Sequence, residues 1–205
     1  DQYVLSKTVE EIQVPDTIQG IIAARMDRLE DTLKRTMQVA SVIGRDFAFR
    51  ILQTVTGMQE ELKSYLINLQ GLELIYEKQL FPELEYIFKH ALTQEVAYNS
   101  LLLKRRREIH GRIAQAIEEV YTDRLEEFYE MLAFHYWKGE DWPSAYKYNR
   151  EAGLKALSFS AYTESLGFLK AALAGLKKLP RSKAHLEQEN KMKPSFAIVG
   201  CGKVG

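Results

Sequence analysis

The chain has 205 residues, enough for one large domain or for two small ones that each bury a core. Lysine and arginine together number 28, as do aspartate and glutamate, so no overall field draws the chain toward nucleic acid or an anionic membrane. No apolar run approaches the roughly 18 residues that span a bilayer, and we expect a soluble protein without a membrane partner.

Residues 1–15 are predicted to be an N-terminal extension. They lack the basic start, the apolar core and the small-residue cleavage site of a secretory leader. They also lack an initiator methionine. We therefore expect the sequence to begin within a longer protein.

Residues 16–103 are predicted to form a winged-helix-like unit with a connecting helix. Apolar residues at helical spacing predict four helices, in DTIQGIIAARMDRLED, TLKRTMQVASVIG, FAFRILQTVTG and EELKSYLINLQGLEL. The pattern then changes to the short runs LIYEK and LEYIFK, and the proline of the intervening QLFPE belongs in a turn, so a β-hairpin is predicted. In a winged helix, several helices are followed by a two-stranded hairpin, so this order of elements predicts that fold. The first helix is expected to bury Ile18, Ile21, Ile22, Met26 and Leu29.

Residues 104–178 are predicted to form antiparallel helical hairpins like those of tetratricopeptide (TPR) repeats. A helix in KRRREIHGRIAQAIEEVY is expected to bury Ile109, Ile113, Ile117 and Val120. Beyond it, small and aromatic residues are placed as in a TPR repeat at Ala133, Tyr136, Ala145 and Ala152, with GEDWPS as the turn. A last helix in YTESLGFLKAALAGLKKL follows Ala145 by less than the repeat length of about 34 residues, which predicts an irregular array of barely two repeats.

The end of the sequence contains two segments of different composition. Residues 179–193 are polar and are predicted to be a linker. Residues 194–205 contain FAIVGCGKVG, a strand pattern running into Gly200, Gly202 and Gly205, which is the opening of a dinucleotide-binding Rossmann fold. Without the helix that completes this fold, we expect negligible cofactor binding at the three glycines.

Cys201 is the only cysteine, which excludes an intrachain disulfide and agrees with a cytoplasmic location.

Three segments of this sequence resemble a known family. VPDTIQGIIAARMDRLED, LKRTMQVASVIGRDF and LELIYEKQLFPELEYIFKHALTQEVAYNSLL are similar to the region after the ATPase core in bacterial STAND-type signalling ATPases. The resemblance covers roughly residues 1–178 and is closest to ATPases fused to class III adenylate or guanylate cyclase domains. It implies a parent protein that uses ATP and Mg²⁺, with an upstream ATPase core as a partner of this chain. The chain itself contains no GxxxxGK[ST] phosphate loop, so we expect no cofactor in it.

Two surfaces are candidate sites for partners. The first repeat contains several aromatic residues: Tyr136, Trp137, Trp142 and Tyr146, with Tyr148. If exposed, they would bind a protein partner, although packing between the paired helices also explains them. The run Lys104, Arg105, Arg106 and Arg107 is a basic patch that would contact DNA phosphates, but a solvated helix face or a contact with an acidic domain is the favoured interpretation.

No residues are predicted to be catalytic and none to bind a metal. His90, His110, His135 and His185 are too far apart in the sequence to form local metal-ligand pairs, and only the fold could bring them together. No nucleophile and base, and no pair of carboxylates, stand at a spacing that suggests catalysis.

Three functions follow from these patterns. The favoured one is a regulatory interaction module of an ATP-dependent signalling protein. The alternatives are a fragment of a winged-helix transcription regulator, with DNA as a partner that is not favoured, and a fragment of a dinucleotide-binding oxidoreductase.

Overall fold

The computed structural model describes residues 16–80 and 83–180. Over these residues the fold is mainly α-helical with a small antiparallel sheet, as the sequence predicts. The chain divides between Leu101 and Leu102 into two compact units, called here the N-terminal unit and the C-terminal unit. The predicted boundary lies two residues later, between Leu103 and Lys104.

The N-terminal unit combines helices with a three-stranded sheet. Its elements are α1 (Asp16–Asp27), α2 (Asp31–Ile43), β1 (Asp46–Ala48), α3 (Phe49–Thr56), α4 (Glu61–Gly71), β2 (Ile75–Gln79), β3 (Glu85–Phe88) and α5 (Ala91–Asn99). The order from α2 to β3 is helix, strand, helix, helix and two strands, and the final hairpin is the one that the sequence predicts.

Glycines end two of these helices where the sequence predicts. Gly44 follows α2, and its N–H donates to the carbonyl of Ala40. Gly57 follows α3 with a φ of 72°, in the left-handed region that favours glycine, and its N–H donates to the carbonyl of Gln53. These bonds satisfy carbonyl groups that a helix end would otherwise leave unpaired.

The strand β1 corrects the prediction for FAFRILQTVTG, because Phe47 and Ala48 belong to a strand and α3 begins only at Phe49. β1 pairs with β3, so β3 is central in the order β1–β3–β2. Phe47 lies opposite Tyr86, and its ring stacks on that of Tyr86 at 5.8 Å and contacts that of Phe88 at 5.6 Å. Burial of this aromatic group favours the strand over an earlier start of the helix.

The core of the N-terminal unit lies between the helices and the inner face of the sheet. Fully buried side chains of this core include Met37, Leu52, Leu62, Leu66, Leu69, Ile75 and Phe88. The expected face of α1 is only partly buried, because Met26 is enclosed whereas Ile18 is 43% and Ile21 is 62% exposed. The prediction was wrong for these two residues, since the packing of α1 against α5 does not cover them.

The C-terminal unit consists of successive helices. Its elements are α6 (Leu103–Val120), a 3₁₀ segment (Thr122–Phe128), α7 (Tyr129–Gly139), α8 (Trp142–Ser158) and α9 (Tyr162–Leu176). Each long helix packs against the next one along the chain. Ile109, Ile113 and Ile117 of α6 are buried as predicted, whereas Val120 is only half-buried.

Short turns make these helices antiparallel. Asp141 caps α8 by accepting hydrogen bonds from the N–H (3.3 Å) and the hydroxyl (3.0 Å) of Ser144, so the predicted GEDWPS turn is confirmed. Tyr136 near the end of α7 stacks on Tyr148, while Glu130 at its start pairs with Lys155 further along α8. The same reversal joins α8 to α9, so α7 and α9 run parallel and their N-terminal ends lie on the same side.

Candidate functional site

A groove of about 510 Å³ lies on the C-terminal unit between α7 and α9, with α8 behind it. Its volume falls in the range of sites that hold ligands or side chains of partners. Its lining is mostly apolar and aromatic. The lining residues are Glu130, Ala133, Phe134 and Trp137 of α7, Asn149 of α8, and Glu164, Gly167, Phe168 and Ala171 of α9.

The two walls of the groove are equivalent by sequence position. Every lining residue of α9 follows a lining residue of α7 by the TPR period of about 34 residues. The pairs are Glu130 with Glu164, Ala133 with Gly167, Phe134 with Phe168, and Trp137 with Ala171. The spacing is shorter than one repeat only between α9 and Ala145 of α8, so the expected irregular array is corrected: the counterpart of α9 is α7.

Two exposed features of the groove are suited to contact a partner. Phe134 is 50% exposed, although its ring packs in T-shaped contacts with the rings of His110 (centroids 5.7 Å apart) and His135 (5.2 Å). Glu164 is exposed and forms no salt bridge within residues 16–80 and 83–180, whereas Glu130 pairs with Lys155 at 3.1 Å. At the floor, the buried Asn149 amide donates to the carbonyl of Ala145 at 2.8 Å.

The four aromatic residues predicted to form a partner surface are only partly available. Tyr136 and Tyr146 are 4% and 8% exposed, so they belong to the packing between helices. Trp137 and Trp142 are half-buried and meet edge to face at 5.4 Å. Only Trp137 of the four lines the groove. The aromatic residues that the sequence analysis missed are Phe134 and Phe168, and their spacing by the repeat length was the signal that could have revealed them.

Tyr136 is held inside the unit by a carboxylate. Glu118 of α6 accepts a hydrogen bond from the Tyr136 hydroxyl at 2.5 Å and another from the Tyr148 hydroxyl. The two tyrosine rings stack with centroids 5.5 Å apart. Burial and the neighbouring Glu118 carboxylate raise the pKa of both tyrosines well above the ordinary value of 10. This cluster ties α6, α7 and α8 together and leaves neither hydroxyl for a ligand.

The fold brings together two of the four histidines. His110 of α6 and His135 of α7 are each 1% exposed, and their Nδ1 atoms share a hydrogen bond of 2.9 Å. Burial is the main cause that lowers the pKa of His110 to about 4 and that of His135 to about 3, so both are neutral at pH 7. His90 is exposed in the N-terminal unit, and His185 lies outside the described residues.

A metal site does not follow from this pair. Among the residues that the structure describes, no three histidine, cysteine, aspartate or glutamate side chains are grouped to hold an ion. The two imidazoles meet where α6 packs against α7, and they share one hydrogen bond.

The predicted basic patch lies on a shallow groove of α6, where salt bridges compensate part of its charge. Lys104, Arg105 and Arg107 line this groove. Arg105 pairs with Glu108 at 3.0 Å, and Arg107 pairs with Glu140 at 2.8 Å. Arg106 is half-buried and does not line the groove. The geometry therefore favours the helix-face interpretation over a site that follows phosphates.

The three glycines predicted to bind a dinucleotide, Gly200, Gly202 and Gly205, lie outside the described residues. In comparisons with known proteins, no family model matches this sequence and no curated protein does. None of the helices in the described part of the chain is both long and apolar enough to cross a membrane.

Proposed function

We propose that this chain is a non-catalytic interaction module of a cytoplasmic ATP-dependent signalling protein. In this proposal, the groove between α7 and α9 receives a protein partner. The N-terminal unit contacts an upstream ATPase core, which binds ATP and Mg²⁺. The nucleotide state of that core and the occupancy of the groove then bias each other.

The observation that carries the proposal is the exposed aromatic lining of the groove. Phe134 is half exposed, and Phe168 and Trp137 beside it are only partly buried. Exposed apolar surface of this kind costs free energy in water, and a partner that covers it regains that free energy. Aromatic side chains are also enriched at protein interfaces, and tryptophan is among the residues that most often dominate binding energy.

The signalling context rests on the resemblance to STAND-type ATPases. In these proteins the winged-helix and repeat regions follow the ATPase core, and this chain has the same order of a mixed unit and a helical unit. A partner seated on the repeats can change the equilibrium of the core only if it binds one nucleotide state better than the other.

Site-specific photocrosslinking in the full-length parent protein tests the groove. p-Benzoylphenylalanine replaces Phe134 in one variant and Phe168 in another. In the control variant it replaces Phe159, which is 75% exposed and lies outside the groove lining. We expect the same partner protein, identified by mass spectrometry, from both groove positions and no such adduct from Phe159.

Nucleotide coupling is read from the same adducts. The yield of the Phe134 adduct in the purified parent protein with its partner is expected to differ between ATP and ADP. Equal adduct yields with ATP and with ADP would contradict the proposed coupling between nucleotide state and groove occupancy. If neither groove position gives an adduct, or if position 159 gives the same adduct yield as the groove positions, the groove is not a partner site.

A further inference from the structure

We propose that the groove between α7 and α9 is selective for an amphipathic helix with basic residues beside its apolar face. This inference rests on the proposed function and names the chemistry of the partner. It is carried by the arrangement of charge and apolar surface along the groove.

The charge in the groove is concentrated at one end. Because α7 and α9 run parallel, Glu130 and Glu164, both in the first turn of their helices, lie at the same end. Phe134 and Phe168 follow each carboxylate by one helical turn. The groove thus presents carboxylates at one end and aromatic rings beyond them.

This polarity fits a segment that carries lysine or arginine next to its apolar residues. Glu164 has no cationic partner within residues 16–80 and 83–180, so a basic side chain would supply one. Glu130 keeps part of its charge exposed despite Lys155, since 43% of its side chain is accessible. An acidic segment would meet two carboxylates and be repelled at this end.

A helix is the conformation that the lining favours. An extended peptide would bring its N–H and C=O groups against the Phe134, Phe168 and Trp137 rings, which offer them no hydrogen bonds. Unpaired backbone groups in an apolar groove are costly, whereas a helix satisfies its own. Its apolar stripe at positions i, i+3, i+4 and i+7 can then enter the groove.

The position of the two carboxylates has a structural explanation as well. A negative charge in the first turn of a helix stabilises that helix through its dipole. This effect does not depend on a partner, so stability alone cannot distinguish it from recognition. Binding measurements with matched peptides can.

Fluorescence anisotropy of labelled peptides with the full 205-residue chain tests the proposal. The probe is a synthetic helix of about 18 residues, long enough to be helical, with leucine at i, i+3, i+4 and i+7 and lysine beside this stripe. A second peptide has glutamate at every lysine position. A third keeps the composition of the first but scrambles the stripe.

We expect the lysine peptide to bind at least about ten-fold more tightly than the glutamate peptide and its affinity to fall with added salt. Glu164→Gln should weaken the lysine peptide about three-fold, as expected for one exposed ion pair. The control Glu119→Gln changes an exposed carboxylate of α6 outside the groove and should leave the affinity unchanged. The scrambled peptide should bind weakly to every variant.

Two outcomes would overturn the inference in distinguishable ways. If lysine and glutamate peptides bind equally, and Phe134→Ala weakens both while the control Phe159→Ala weakens neither, the groove is a docking site but the charge preference is wrong. If neither peptide binds the folded chain, or if Phe134→Ala has no effect on binding, the groove assignment in the proposed function fails together with the inference. Circular dichroism confirms that each variant is folded.

Discussion

The buried imidazoles of His110 and His135 make the C-terminal unit sensitive to acid. An unfolded chain binds protons at histidine near pH 6.5, whereas the folded pair binds them only near pH 4 and pH 3. Lys138 and Arg106 add to burial in keeping His110 neutral, and His110 does so for His135. Between pH 6.5 and these values the unfolded state holds more protons than the folded state. The contribution of the pair to stability is therefore fully present above pH 6.5 and is lost as the pH is lowered.

The double variant His110→Asn, His135→Asn isolates this effect. Asparagine places an amide near each Nδ1 position, which retains a hydrogen bond but removes the titration. From pH 7 to pH 4, we expect the melting temperature of the natural chain to fall more steeply than that of the variant, as measured by tryptophan fluorescence. The carboxylates titrate in both proteins, so the difference between the two curves comes from the histidines. Parallel curves would show that the imidazole pair contributes nothing to acid sensitivity.

Individual site residues were harder to predict from the sequence than the helices around them. Aromatic residues are common at interfaces, which predicts Tyr136 and Tyr146 as partner residues, but their positions on the inner faces of α7 and α8 bury them. Phe134 lies off the apolar stripe of α7, so helical periodicity does not single it out, and this same position leaves it half exposed. The meeting of His110 and His135 depends on how α6 packs on α7, which no local pattern contains.

At the scale of elements, long helices were predicted well because a buried stripe of several turns is visible in one sequence. The stripe of Ile109, Ile113 and Ile117 is an example, since all three are buried in α6. β1 is three residues long and depends on pairing with β3, some 40 positions further along the chain. The 3₁₀ segment Thr122–Phe128 contains no fully buried residue and so carries no such stripe.

Two glycines within helices give a matched test of how α8 packs against α9. Gly153 of α8 is buried, and a Cβ placed there would lie 2.9 Å from the Cγ and Cδ2 atoms of Leu169, which is itself fully buried. A Cβ at Gly111 of α6 would meet no atom within 4 Å. We expect Gly153→Ala to lower the free energy of unfolding by about 1–3 kcal/mol through overpacking. Gly111→Ala should raise it by up to about 1 kcal/mol, because alanine favours helix.

Urea denaturation of the full chain, followed by tryptophan fluorescence, measures both variants. The two substitutions are chemically identical and both lie in helix interiors, so helix propensity cancels in the comparison. The hydrogen bond from the Ser165 hydroxyl to the Gly153 carbonyl, 2.8 Å long, marks how closely the helices approach at this point. If Gly153→Ala stabilises the chain as much as Gly111→Ala, then Leu169 moves aside freely and the α8–α9 interface is looser than these distances indicate.

For the whole molecule, the order of elements was predictable but the repeat relation was not. The mainly helical fold with a small β-hairpin was predictable, because turns and periodicity are local signals. The equivalence of α7 and α9 requires knowing which helices occupy corresponding positions in successive hairpins. Once the hairpins are known, the pairing of Glu130 with Glu164 and of Phe134 with Phe168 follows directly from the sequence.

Ligand-induced changes in thermal stability distinguish a partner-binding module from a nucleotide-binding one in the intact chain. Both tryptophans belong to the C-terminal unit, and Trp137 lines the groove, so their fluorescence reports on the unit that binds the peptide. A ligand that binds only the folded state at 100 times its Kd stabilises it by about 2.7 kcal/mol. We therefore expect the lysine-flanked peptide to raise the melting temperature by about 5–11 °C. ATP with Mg²⁺ should leave it unchanged, because the sequence has no phosphate-binding loop; a comparable rise with ATP and Mg²⁺ would contradict the non-catalytic assignment.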